Sequence, residues 1–210
     1  MALSSPGAQT VVVPANRAVW PTRPLAMEVG ASNRRVVFEP GVTVEALKGA
    51  FHNGTDSLLS CYGLQNVSFE GTQAALRMHK ADYANHHKYS HSESRMGLQL
   101  MGCRNVSVIG LNISATGGDG IYVAGWGHHV YLKNGSRVFV STYQNSSDIN
   151  VRGVHCHDNY RQVRQTVLFV RFHIQQIGDF VKTSSTQTQG KHSKKSTARV
   201  CRSYPPSACM

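Results

Sequence analysis

Gly97-Leu98-Gln99-Leu100 returns 23 residues later as Gly120-Ile121-Tyr122-Val123, with Asn105-Val106-Ser107-Val108-Ile109-Gly110-Leu111-Asn112-Ile113 between them. A unit of roughly 20–25 residues built from short alternating strands predicts a parallel β-helix, in which each coil buries its apolar face only by stacking on its neighbours. The middle of the unit has further copies. Asn66-Val67-Ser68-Phe69-Glu70-Gly71 precedes it by 39 residues, and Asp148-Ile149-Asn150-Val151-Arg152-Gly153 follows by 43. In each copy apolar residues alternate, as in Val67/Phe69, Val106/Val108 and Ile149/Val151, which places them on the inner face of a strand. After the glycine the alternation resumes, with Leu111/Ile113 matched by Val154/Cys156.

Two loop insertions account for the spacings above 23. The first, Ala81 to Ser94, is rich in His and Tyr and lacks a strand pattern. The second runs from about Gly125 to Ser147 and holds Asn134-Gly135, a strong hairpin turn, between Val130-Tyr131-Leu132 and Val138-Phe139-Val140. Insertions on one side of a solenoid commonly build its binding face. Upstream, Thr10–Pro14, Arg35–Phe38 and Val42–Leu47 read as strands, the last two separated by the turn Glu39-Pro40-Gly41.

Charge divides the chain in two. Residues 1–162 carry 14 Lys+Arg against 10 Asp+Glu, whereas residues 163–210 carry 8 against 1. Past Gln162 glycine is scarce, Asn is absent, and Ser, Thr, Gln and Lys dominate from Lys182. Residues 10–162 are therefore expected to form the β-helix domain, and 163–210 a non-repetitive, disordered basic tail. The break falls in mid-coil, so the tail reads as a divergent or mis-specified end, and the chain as a fragment of a longer solenoid. The tail lacks aromatic interleaving and any recognised module, which argues against a nucleic-acid partner.

No membrane span and no clear secretory signal are visible. Six Asn-x-Ser/Thr sequons, at Asn53, Asn66, Asn105, Asn112, Asn134 and Asn145, fit a secreted or cell-surface protein, although Asn66, Asn105 and Asn112 lie inside the repeats. Cys61, Cys103, Cys156, Cys201 and Cys209 include no Cys-x-x-Cys pair, so no structural zinc site is expected. Cys156 falls on an inward position and reads as core.

Gly117-Gly118-Asp119-Gly120-Ile121-Tyr122 and the turn Asn159-Tyr160-Arg161-Gln162 resemble turns of the pectin-lyase-like superfamily. The resemblance covers about residues 10–162 and implies a right-handed, single-stranded parallel β-helix. It also implies that acidic sugars bind along one edge of the coils. Aligning the copies puts Gly118 beside Arg161 and Asp119 beside Gln162, with Arg95 and Met96 stacked on Gly118 and Asp119 from the other side. Arg95, Asp119, Arg161 and Gln162 are thus expected along one edge, overhung by the first insertion.

The chemistry expected there follows from residue type. Arg95 and Arg161 are candidates to grip a uronate carboxylate in forked geometry, with Gln162 and His91 as further substrate contacts. Asp119, Asp158 and His157 are the catalytic candidates, as acid, base and proton shuttle. Asp119 has an alternative role, bonding turn amides between two glycines. Both arginines have one too, in salt bridges to aspartate.

Inverting hydrolysis needs two carboxyls roughly 6.5–9.5 Å apart, and Asp119 with Asp158 is the obvious pair. No Arg-Ile-Lys segment of the polygalacturonase-like kind is present. Eleven acidic residues in the chain give little support to a Ca2+ site, so no cofactor or metal is assigned. His155 and His157 share a strand face and are expected on the outer surface. The expected activity is that of a monomeric protein acting on, or binding, uronate-containing polysaccharide, with lyase, hydrolase and epimerase all open. The alternative is a non-catalytic solenoid that binds glycans or protein partners, or an inactive truncated copy.

Overall fold

A computed structural model describes residues 7–17, 19–127, 129–131, 137–139, 144–161, 172–175 and 197–200. The chain winds through coils of three strands. The first holds β1 (Thr10–Val13), β2 (Val19–Thr22) and β3 (Leu25–Met27), and the second β4 (Arg34–Phe38), β5 (Thr43–Ala46) and β6 (Leu59–Tyr62). The third holds β7 (Gln65–Glu70), β8 (Ala75–Arg77) and β9 (Leu98–Met101), and the fourth β10 (Arg104–Ile109), β11 (Asn112–Ser114) and β12 (Ile121–Ala124). Between the fourth and fifth coils lies a hairpin of β13 (His129–Tyr131) and β14 (Arg137–Phe139), paired antiparallel. The fifth coil follows with β15 (Ser147–Arg152) and β16 (His155–His157).

Like strands stack in parallel into three sheets, ordered β1-β4-β7-β10-β15, β2-β5-β8-β11-β16 and β3-β6-β9-β12. This is a parallel β-helix. Two short strands come from the segment past 162. β17 (Phe172–Gln175) pairs parallel with β15, and β18 (Thr197–Val200) pairs antiparallel with β12. The expectation of a disordered tail otherwise falls on residues outside the described ones.

The register explains the sequence repeat. Leu98 pairs with Ile121, so the 23-residue interval is the length of a coil without insertion. Arg104 pairs with Gln65 below and Ser147 above, which reproduces the longer spacings of the copies. Inward side chains form columns through the stack. Val36, Phe69, Val108 and Val151 run through the first sheet, and Val44, Leu76, Ile113 and Cys156 through the second. All eight are buried. Cys61 and Cys103 are also buried free thiols, and burial pushes their pKa values up, that of Cys103 to about 11. Such thiols behave as small hydrophobes.

A residue of positive φ stands at the start of the first-sheet strand in the second to fifth coils: Asn33 just before β4, then Asn66, Asn105 and Asp148, each second in its strand. Asparagine tolerates this left-handed turn, and its amide supplies a lateral bond. The Asn66 Nδ2 donates to Asn33 Oδ1 at 2.8 Å, and Asn105 Nδ2 donates to Asn66 Oδ1 at 2.9 Å. The asparagine of two sequons is therefore part of a structural ladder.

Among the strands of the coils, four were not legible in the sequence: β2, β3, β6 and β8. They are short, and β2 contains Pro21. The Thr22 carbonyl accepts the Leu47 N–H from the second coil, so the preceding Pro21 turns its missing donor toward the free edge. Proline is tolerated at such a position.

Candidate functional site

The turn between β11 and β12 is built by two buried polar side chains. The Thr116 hydroxyl donates to the Gly118 carbonyl at 2.8 Å, and Asn159 Oδ1 accepts the Thr116 N–H at 3.2 Å from the coil above. Tyr160 and Arg161 N–H groups donate to the carbonyls of Thr116 and Gly118. The expected stacking of Arg161 on Gly118 is therefore observed. From below, the Gly97 N–H donates to the Asp119 carbonyl, and the Asp119 N–H donates to the Met96 thioether at 3.1 Å.

Gly117 and Gly118 are glycines for a steric reason. A Cβ on Gly117 would lie 2.6 Å from Tyr83 Cδ2, and one on Gly118 would lie 2.6 Å from the Glu93 carbonyl oxygen. The first insertion, which contains a short 3₁₀ turn (Asp82–Ala84) and no strand, packs directly on this turn. It thereby delivers Glu93 to the site.

Asp119 is 0% exposed, and burial raises its carboxyl to about 7. The Arg161 guanidinium opposes that rise and the Glu93 carboxylate adds to it. Arg161 Nη1 lies 3.1 Å from Glu93 Oε2, with the arginine side chain 23% and the glutamate 50% exposed. The resulting arrangement is a buried carboxyl raised to about 7, within electrostatic reach of an ion pair on the rim. Such a group is matched to acid–base work.

Arg95 does not belong to this rim. It is 0% exposed, and its guanidinium donates to the carbonyls of Phe51, His52 and Ser90 at 2.8–3.1 Å. It also lies over the Tyr83 ring, 5.0 Å from the centroid, and 5.9 Å from that of Tyr89. The coil alignment put its backbone beside Gly118; the structure pairs it with Gly117, one residue away. Its side chain instead turns inward to tie the insertion to the second coil, which corrects the substrate-grip reading. Burial lowers the Arg95 pKa and raises the Tyr83 phenol to about 12, so that phenol stays protonated.

Asp158 also departs from expectation. It adopts a left-handed conformation (φ 52°) above Ala115 (φ 54°), one residue beyond the Ser114–His157 pair. Its carboxylate, 66% exposed, is 3.1 Å from Lys80 Nζ. The charges acting on Asp119 are those of Arg161 and Glu93, so Glu93 replaces Asp158 as the second carboxylate of the site. His157 lies on the outer face of β16 beside His155, as the alternation implied. His91 is exposed on the insertion against His86, with ring centroids 4.8 Å apart. Gln162 lies outside the described residues.

No protein-family model matches the chain, and searches of curated proteins and of solved structures gave no match. The reading of the site therefore rests on its own geometry. Among the described residues, no three or more His, Cys, Asp or Glu side chains gather in metal-binding range. No helix among them is long and apolar enough to cross a membrane.

Glu93 had no signal in the sequence. The insertion has no register with the coils, so periodicity could not place it; only its proximity to Arg95 in the chain hinted at a role. Tyr83 and Tyr89 were equally silent, because the function of each depends on an arginine whose direction the repeat does not encode.

Proposed function

We propose that this chain is a glycan-binding β-helix protein that takes uronate-containing polysaccharide along the edge formed by the turns after β11 and β16 and by the first insertion. The observation that carries the reading is Asp119, a buried carboxyl raised to about 7 beneath the Arg161–Glu93 pair. The likeness of its turns to those of pectin-lyase-like proteins points the same way. A uronate carboxylate has the charge and shape to replace Glu93 on Arg161, since guanidinium pairs with carboxylates in forked geometry. That exchange opens the rim above Asp119.

Elimination is the chemistry that best suits this set. Arg161 neutralises the uronate carboxylate and so acidifies the adjacent carbon-bound proton, which ionised Asp119 removes as a C=C bond forms and the neighbouring glycosidic C–O bond breaks; water protonates the departing oxygen, and Asp119 releases its proton to solvent. Only one proton-transfer carboxylate is needed, whereas hydrolysis needs two with independent roles. A second reading, glycan binding without turnover, is favoured by the complete burial of Asp119.

The test is titration with oligouronates by calorimetry, together with spectrophotometric detection of the unsaturated uronate that elimination leaves. Binding and turnover in the wild type, with turnover lost in Asp119→Asn and binding lost in Arg161→Ala, support the lyase reading. Binding without turnover selects the second reading. Failure of every uronate polymer to bind overturns both.

A further inference from the structure

Glu93 reaches the rim from a backbone that is fixed on both sides. The Ser92 hydroxyl donates to the Gly54 carbonyl at 2.5 Å and accepts the Ser94 N–H at 3.0 Å. Two residues on, the buried Arg95 ties the segment to the second coil through the Phe51 and His52 carbonyls. The Glu93 carbonyl oxygen itself sits against Gly118, where an added Cβ would lie 2.6 Å from it. The loop therefore sets the height of Glu93 over the turn, and leaving Arg161 takes rotation of its side chain alone.

We propose that Glu93 is a resident competitor, whose carboxylate fills the subsite on Arg161 that a ligand carboxylate must take and so holds the free protein in an autoinhibited state. That the ligand is a uronate rests on the reading above; the occupancy of the subsite by a carboxylate does not.

Two features mark the pair as exchangeable. Its contact, 3.1 Å from Arg161 Nη1 to Glu93 Oε2, is longer than a tight charge-assisted bond of roughly 2.7–2.9 Å, and water reaches both partners. The Arg35–Glu70 pair on the first sheet is the contrasting case, with two bonds of 2.9 and 2.6 Å joining neighbouring strands. The backbone is also held without the rim contact. The Arg161 N–H is bound to the Gly118 carbonyl, Asn159 fastens its turn to Thr116, and Arg95 fastens the insertion through the Ser90 carbonyl. What remains for Glu93 is charge. A carboxylate tethered beside a guanidinium acts at an effective concentration that any incoming carboxylate must exceed.

The experiment compares the full wild-type chain with Glu93→Gln, which keeps the shape and removes the charge; circular dichroism verifies the fold. Two probes are titrated. Acetate, a minimal carboxylate, is followed through the nuclear magnetic resonance signal of the Arg161 side-chain Nε–H, identified by its loss in Arg161→Lys. Oligouronate is followed by calorimetry. Partly exposed ion pairs are weak, so both probes should bind about two- to fivefold more tightly in Glu93→Gln. Glu93→Asp, whose shorter side chain draws back from Arg161, should tighten binding by less, and it supplies the comparison if Glu93→Gln does not fold. An equal response of Arg161 to acetate in the wild type and the variant overturns the proposal, even where oligouronate binds. Tighter acetate binding with no oligouronate binding in either protein supports the competitor and overturns the uronate reading alone. Weaker oligouronate binding in Glu93→Gln would make Glu93 a ligand contact and overturns the proposal too.

Discussion

Arg95 and Arg161 stand one level below and one level above the Gly117–Gly118 turn, yet the two places treat an arginine in opposite ways. At Arg95 the first insertion closes over the side chain, and three backbone carbonyls with two tyrosine rings replace water around the guanidinium. At Arg161 the side chain remains on the rim and finds one carboxylate, that of Glu93. A buried cation is costly unless acceptors replace water, as the three carbonyls do on Arg95 Nε and Nη2, whereas a rim cation can exchange its partner. The first arginine therefore holds the loop in place, and the second is available to a ligand.

The sharpest way to break this contrast is Arg95→Met, which keeps the volume and removes the donors. Stability should fall by about 3–5 kcal/mol, since three carbonyls lose charged donors at a buried site. Denaturant unfolding measures the loss, and hydrogen exchange should show faster exchange across residues 81–94. By comparison, Arg161→Ala should cost no more than about 1 kcal/mol, because partly exposed ion pairs contribute little, while abolishing uronate binding. A loss in Arg161→Ala as large as that in Arg95→Met would remove the distinction.

Asp119 supplies the next test. Its folded value of about 7 exceeds the ordinary unfolded value of about 3.9. The folded state therefore binds the extra proton between these two values, and stability declines as pH rises through that window before levelling above about 7. The decline amounts to roughly 2–4 kcal/mol. In Asp119→Asn it should vanish, leaving a flatter curve of unfolding free energy against pH. A slope retained in that variant would show that another group titrates there.

The smallest effects are expected on the exposed turns. Asp158→Asn, which loses only the bond to Lys80, should change stability by less than about 0.5 kcal/mol. Asp148→Asn should raise stability by about 0.5–1 kcal/mol, because it supplies a donor amide that continues the Asn33–Asn66–Asn105 ladder. Thermal melts of the two variants compare these outcomes directly.

The chain's own pattern determined the stacking. Val67/Phe69, Val106/Val108 and Ile149/Val151 announce inward columns because strand alternation is local and needs no knowledge of distant residues. For the same reason, the recurrence of Asn66, Asn105 and Asp148 at the head of each copy, the pairing of the strands that flank Asn134-Gly135 and the stacking of Arg161 on Gly118 were all readable. What only the tertiary structure decided is where side chains outside the repeat point. Arg95 turned inward, Asp158 outward to Lys80, and Glu93 across to Arg161, because each direction depends on how a loop without periodicity packs on glycines that leave room for it. Sequence sets the register of a solenoid through a repeating local rule; the chemistry of its edge comes from non-repeating contacts, which burial and charge pairing settle only when the coils are assembled.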